Sequence, residues 1–144
     1  MKALTRVTPL VLIGLIAALT LSAAGGAKGV AMPGKEMKWV ENPAMKGLSV
    51  ATIWGDPSKE AYGAFKKVAG GTDFGMHSHS FDQKVIAISG TFDFQFEGEA
   101  PKELGPGSYV STPAHVKHSA KCRAGADCVY FEESKGKSDY IPAK

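Results

Sequence analysis

The placement of the histidines constrains this chain more than any other feature. All four lie in two short segments, at His77, His79, His115 and His118. Successive side chains of an extended strand point to opposite faces, so the His77-x-His79 spacing puts two imidazoles on one face. His118 can bring a third imidazole from a neighbouring strand. Because three imidazoles and one oxygen donor can hold a divalent transition metal, the sequence predicts a metal site built on strands.

Short apolar stretches separated by turn residues predict an all-β domain. The predicted strands cover residues 39–40, 48–54, 61–68, 83–89, 91–96, 108–112, 115–122 and 128–132. Phe92, Phe94 and Phe96 alternate with polar residues, which indicates one inward face, most of it barrel core. Residues 98–107 are expected to form a loop, and the segment after residue 134 is expected to be irregular. No convincing amphipathic helix interrupts this pattern.

Two segments of the chain resemble the two motifs of the cupin superfamily. The first motif, G-x5-H-x-H-x(3,4)-E-x6-G, is matched at Gly71, His77, His79 and Gly90. The second, G-x5-P-x-G-x2-H-x3-N, is matched at Gly107, Pro113 and His118. The chain departs from the motifs where Gln83 replaces glutamate, His115 replaces glycine and Cys122 replaces asparagine. The resemblance implies an all-β fold, the cupin-type double-stranded β-helix or jelly-roll barrel, with a metal in its mouth.

The resemblance also implies a ligand set of His77, His79, His118 and, through its amide oxygen, Gln83. A neutral amide neither lowers the charge of the site nor accepts a proton, so a bound divalent ion would act as a stronger Lewis acid. This set resembles the cupins that act on unsaturated uronates more than dioxygenases of the quercetinase type. The metal stays open among iron, manganese, nickel and zinc, since imidazole and amide donors suit all four.

The sequence assigns no catalytic residue. His115 is one candidate for a base, because histidine titrates near neutral pH. It stands where the cupin motif has a glycine, and histidine tolerates positive φ better than most residues, so an exposed turn histidine is the simpler interpretation. Tyr109 is a second catalytic candidate. Phe81, Asp82 and Trp54 are candidates for the rim of the pocket.

The N-terminus has the order of an exported signal peptide, predicted over residues 1–24. Lys2 and Arg6 precede an apolar run over residues 11–19, and Ser22-Ala23-Ala24 offers small residues for cleavage. That run is shorter than the ~20 residues that span a bilayer, so no membrane anchor is expected after cleavage. The mature protein is expected in the periplasm or outside the cell.

The rest of the chain is expected to form one domain, with an extension over residues 25–47, a cupin domain over 48–133 and a tail over 134–144. Without Lys2 and Arg6 the formal charge falls from +3 to +1, and no basic stripe indicates nucleic acid. The expected partner is a small molecule. Cupins commonly pair through a barrel edge, so a homodimer also fits the resemblance.

The two cysteines, Cys122 and Cys128, bracket the short turn Arg-Ala-Gly-Ala-Asp. In an exported protein, a pair this close predicts a disulfide. The alternative is a thiolate metal ligand, since Cys122 lies shortly after His118 on the same predicted strand.

Three functions remain open at this point. The first is an enzyme, a lyase or an isomerase, that uses a divalent metal as Lewis acid on a small oxygen-rich molecule, sugar-like or carboxylated. The second is a non-catalytic cupin that binds a metal or a small ligand, and the third is a cupin dioxygenase. Bound redox-active iron would favour the dioxygenase, whereas zinc or nickel would favour the other two.

Overall fold

Eleven strands make up most of the regular structure in residues 29–144, which are the residues that this computed structural model describes. Their bounds are β1 Val40–Glu41, β2 Leu48–Gly55, β3 Tyr62–Val68, β4 His77–Ser78, β5 Gln83–Ser89, β6 Phe92–Phe96, β7 Lys102–Leu104, β8 Tyr109–Thr112, β9 His118–Cys122, β10 Cys128–Ser134 and β11 Ile141–Pro142. A short 3-10 helix covers Gly34–Glu36. The predicted signal peptide lies outside the described residues.

The strands form two antiparallel sheets with the orders β1-β2-β3-β10-β5-β8 and β11-β4-β9-β6-β7. Strands β3, β10 and β5 are neighbours in space although they are far apart in the chain, so the connections cross between the two sheets. The result is the all-β jelly-roll barrel that the cupin motifs imply. Among residues 29–144, no helix has the length and apolar character needed to cross a membrane.

Three details differ from the predicted strands. The loop predicted over residues 98–107 contains β7, which is too short to show a period of two in the sequence. The strand predicted from His115 begins only at His118, because His115 has a φ of 64°, a left-handed conformation that interrupts extended backbone. The tail predicted to be irregular contains β11, which pairs with β4.

Alternation along each strand decides which side chains face the barrel interior. On β5, Gln83 and Ala87 are buried inside, whereas Ile86 and Ile88 are exposed outside. The buried apolar cluster lies towards the opposite end of the strands from Gln83. Its members are Leu48, Val68, Phe92, Cys122, Cys128 and Tyr130.

Cys122 and Cys128 form a disulfide that joins the end of β9 to the start of β10, as predicted. Both cysteines are fully buried. Gly90 packs against this bridge, since a Cβ at this residue would lie 2.7 Å from the Cys128 Sγ. The disulfide accounts for both sulfur atoms, so the thiolate-ligand alternative is wrong.

We expect the double variant Cys122→Ala/Cys128→Ala to be less stable but to keep its histidine site. Opening so short a loop should lower the free energy of unfolding by about 2 kcal/mol, because the unfolded chain regains the entropy of loop closure. Urea unfolding of parent and variant measures the difference, and zinc titration checks the site. A folded variant that no longer binds zinc would contradict the separation of bridge and site.

Candidate metal centre

Three imidazoles meet at the polar end of the barrel. His77 begins β4 and pairs directly with His118, which begins β9, while His79 follows β4 by one residue. The centroid of the His77 ring lies 4.4 Å from the centroid of the His118 ring and 4.9 Å from that of the His79 ring. One ligand atom from each of the three histidines lies within 4.8 Å of the others. A single ion can therefore contact all three imidazoles.

The backbone orients each of the three rings through its Nδ1 atom. The Nδ1 of each histidine lies within hydrogen-bond distance of a carbonyl oxygen: Gly75 at 2.9 Å for His77, Asp139 at 2.7 Å for His79 and Val116 at 3.0 Å for His118. A carbonyl oxygen only accepts, so each Nδ1 donates, and in the neutral ring the lone pair is then on Nε2. This arrangement fixes tautomer and ring direction, as it does for most metal-ligating histidines.

Burial favours the neutral form of two of the three rings, those of His77 and His118. It lowers the pKa of His77 to about 4, and the neighbouring His118 and His79 add to the effect. Burial also lowers the pKa of His118. Neutral imidazoles with free Nε2 lone pairs are the form that binds a transition metal, so the residues present fit such an ion.

The C-terminal tail completes the site. Besides the Asp139 carbonyl that anchors His79, the Tyr140 ring stacks on the His77 ring at 4.6 Å between centroids. The Tyr140 hydroxyl donates to the Phe74 carbonyl, and Ile141 pairs with Ser78 in the sheet. The prediction of an irregular tail missed this role. The only sequence signal was the apolar pair Tyr140-Ile141 in an otherwise polar segment.

Gln83 lies in the wall of the same cavity as the three histidines. It begins β5 and is 5% exposed, and its backbone pairs with Thr112 on one side and Ser134 on the other. The parity of β5 points its amide into the barrel. The structure thus brings the predicted fourth ligand into the cavity that contains the histidine cluster.

Neither base candidate from the sequence lines this cavity. His115 is an exposed turn residue beside Phe96 and Lys117 on another part of the surface. Its contribution to the site is structural, because its backbone N–H donates to the His79 carbonyl at 2.8 Å. Tyr109 is 57% exposed, since it takes an outward position on β8.

The rim candidates Phe81, Asp82 and Trp54 also lie outside the cavity wall. Asp82 instead accepts hydrogen bonds from Lys135 and from the backbone N–H of Ala114.

A buried ion pair stands in the cavity wall together with the histidines. Lys66 and the Tyr62 hydroxyl both donate to Oε1 of Glu132, each at 2.5 Å. Burial alone would raise the pKa of Glu132, but the charge of Lys66 and the two hydrogen bonds outweigh it and hold that pKa below its usual value. Glu132 is therefore a carboxylate at neutral pH. Neither hydrogen bond uses its second oxygen, Oε2.

Sequence reasoning missed this ion pair. Counting inward positions from Cys128 along β10 reaches Tyr130 and then Glu132, so the period of two was the available signal. Lys66 and Glu132 are 66 positions apart in the chain, and their contact depends on the pairing of β3 with β10.

The histidines and Glu132 occupy one end of a cavity of about 880 Å³ inside the barrel. Further along the strands the wall is mainly apolar, with Val50, Val85, Leu104 and Val110 facing the space beside a few polar residues such as Asn42 and Ser108. A volume of this size is typical of sites for small organic molecules. The cavity therefore combines one polar end with a long apolar body.

The chain belongs to a family whose model is described as a domain of unknown function, DUF4437, and matches residues 27–140. The fold of the chain is that of the cupins. No curated protein matches the chain.

Solved structures show the same fold at low sequence identity. The chain resembles KdgF from Halomonas sp., with a TM-score of 0.60 and 23% identity over 72% of this chain and 93% of that one. It resembles the polyketide cyclase RemF from Streptomyces resistomycificus, with a TM-score of 0.65 and 15% identity over 83% and 87% of the two chains. It also resembles the DMSP lyase DddQ from Ruegeria pomeroyi, with a TM-score of 0.62 and 16% identity over 74% of this chain and 61% of DddQ.

We expect Lys66→Met to destabilise the protein by about 3–5 kcal/mol, because it leaves the Glu132 carboxylate buried without its partner. The double variant Lys66→Met/Glu132→Gln should recover most of this loss, since no buried charge remains and the amide still accepts from Tyr62. Chemical denaturation measures both variants.

The matched control is Lys117→Met, which removes an exposed ion pair with Glu97 at 3.0 Å. It should change the free energy of unfolding by less than about 1 kcal/mol. Equal stability of the Lys66→Met single variant and the double variant would contradict the buried-charge explanation.

Proposed function

We propose that this chain is an enzyme that holds a divalent transition metal on His77, His79, His118 and Gln83 and acts on an oxygen-bearing small molecule. The observation that carries this proposal is the convergence of three backbone-anchored imidazoles in a cavity that also contains an ionised glutamate. A bound divalent ion would supply Lewis acidity, which polarises a carbonyl or hydroxyl oxygen.

Glu132 is the proposed proton acceptor of the reaction. Its Oε1 is held by Lys66 and Tyr62, so the group has a fixed position, and its Oε2 remains for a ligand in the cavity. The Lys66 ammonium keeps the carboxylate in its ionised form. A proton removed from the ligand would pass to Oε2, which turns Glu132 into a carboxylic acid that can return the proton later.

The relatives support this class of reaction without fixing the substrate. One of the similar structures is a DMSP lyase, another is a polyketide cyclase and a third is a predicted oxalate decarboxylase from Thermotoga maritima. Zinc, nickel or manganese would suit the proposed non-redox chemistry. If the protein instead contained iron and consumed oxygen, the dioxygenase alternative would replace this proposal.

We expect His118→Ala to lower zinc affinity by more than about 100-fold, because it removes a first ligand rather than one of the outer partners whose loss costs 10–100-fold. His115→Ala is the matched control: it removes an imidazole three positions away, exposed and outside the cavity, and should bind zinc like the parent. Competition with a chromophoric chelator measures both affinities. Equal loss in the two variants would sink the proposed ligand set.

The contribution of Gln83 is tested by two substitutions of opposite effect. Gln83→Ala should weaken zinc binding less than His118→Ala does, because water can replace a neutral amide oxygen. Gln83→Glu should tighten binding, since an added carboxylate lowers the charge of the site. If both variants matched the parent in zinc affinity, Gln83 would lie outside the coordination sphere and the site would have three protein ligands.

The proposal includes export of the protein from the cytoplasm. Residues 1–24 support export, because basic residues, an apolar run and small residues follow one another as in a signal peptide. We expect the mature chain to begin near Gly25 and to be recovered from the periplasm or the medium. Intact mass spectrometry of the fractionated native protein measures this. An exported chain that still carries Met1 or Lys2 would contradict the predicted cleavage.

A further inference from the structure

Several apolar side chains point into the barrel and are nevertheless only partly buried. They are Val50, Phe74, Val85, Leu104 and Val110, and all of them line the large cavity. Inward-facing side chains of a small barrel normally lose nearly all their accessible surface, because protein interiors are packed as densely as organic crystals. This part of the barrel is therefore an open, mainly apolar chamber, and its wall packs against the buried cluster.

The chamber continues directly from the histidine end of the barrel. Gln83 on β5 pairs with Thr112 on β8, and two residues further along the same strands Val85 pairs with Val110. Ala87 follows on β5, also facing inward. A ligand that places one group at the histidines must therefore extend its remaining atoms past apolar walls.

The charges at the polar end favour an anionic group there. Glu132 and Lys66 form an ion pair and neutralise each other, and an imidazole that coordinates a metal does so as the neutral ring. Asp139 adds one negative charge beside His79, where its carboxylate accepts from the Ser80 backbone at 3.0 Å. A divalent cation exceeds this single charge, so the loaded site carries net positive charge and attracts an anion.

We propose that the ligand is a carboxylic acid with an apolar body, whose carboxylate lies at the histidine cluster and whose body fills the chamber between β5 and β8. This inference rests on the proposed function and selects the carboxylated ligand over the sugar-like one. A sugar acid has hydroxyl groups on all sides, and those against Val85, Val110 and Leu104 would lose water without gaining partners. An alkyl or aromatic body loses nothing there and gains from burial.

A series of straight-chain acids tests the chamber. Hexanoate, octanoate, decanoate and galacturonate are titrated into zinc-loaded protein by calorimetry. Each added methylene should tighten binding about fourfold until the chamber is full, and binding should show a negative heat-capacity change. Galacturonate should bind more weakly than decanoate. Affinity that does not rise with chain length, or galacturonate binding at least as tightly as decanoate, would overturn the inference.

Filling the chamber provides the matched pair of variants. Val85→Phe adds volume inside and should weaken decanoate binding at least about tenfold while hexanoate changes less, because the lost space corresponds to two or more methylenes. Ile86→Phe alters the next residue, which is 44% exposed on the outer face of β5, and should bind all acids like the parent. Val110→Phe adds volume to the chamber from β8, and it should weaken decanoate binding in the same way if Val85→Phe does not fold. Decanoate binding that neither inward variant weakens would overturn the inference.

Titration of metal-free protein separates this inference from the proposed function. If zinc does not bind at the histidines but decanoate binds with the same dependence on chain length and on Val85→Phe, the apolar chamber stands, whereas the metal proposal and the placement of the carboxylate by the metal both fail. If zinc binds as proposed and no acid of the series binds, the metal proposal stands and the inference about the ligand is wrong.

Discussion

The alternation of side chains along strands that close into a barrel is the constraint on which the rest of this structure depends. A barrel has one interior, so each strand must send every second residue into it and the others to the outside. Register ties neighbouring strands together, and the pairing of His77 with His118 fixes β4 and β9 in the arrangement that brings their imidazoles together. A slip of one residue on β5 would place Lys84 and Ile86 inside and remove Gln83 and Val85 from the cavity.

Placing polar groups inside a barrel creates a desolvation problem, and the protein solves it in two ways. Glu132 keeps its charge because Lys66 and Tyr62 are directly bonded to it. Burial instead favours the neutral form of His77 and His118, because it lowers the pKa of both, that of His77 to about 4. Both solutions leave the polar end with little net charge of its own. A bound cation would therefore decide the sign of the site, and with it the charge of the ligand that the cavity attracts.

Segments outside the regular sheets provide much of the precision at the histidine cluster. His79 lies just beyond β4 and lacks the sheet support that His77 receives from its pairing with His118. Two other segments of the chain hold His79 in place. The Asp139 carbonyl accepts from the His79 ring, and the His115 N–H donates to the His79 carbonyl. The positive φ at His115 explains why the cupin motif has a glycine at this position, since glycine adopts the left-handed conformation most readily. The tail thus helps to orient the His79 ring, although His79 and Asp139 are 60 positions apart in the chain.

The sequence by itself predicted most of the strands, the face shared by His77 and His79 and the cysteine pair, and its resemblance to the cupin motifs predicted that Gln83 faces the site. These features depend on short spacings, which local backbone geometry converts directly into a face or a turn. It favoured the exposed turn position of His115, but it did not reveal that Lys66, Glu132 and Tyr62 are in contact, that the tail packs against the site, or that Tyr109 points away from it. Those contacts join residues such as Tyr62 and Glu132, 70 positions apart. Only the order in which the strands pack decides which distant side chains become neighbours, because spacing along a strand fixes a residue's face but not the strand that lies opposite it.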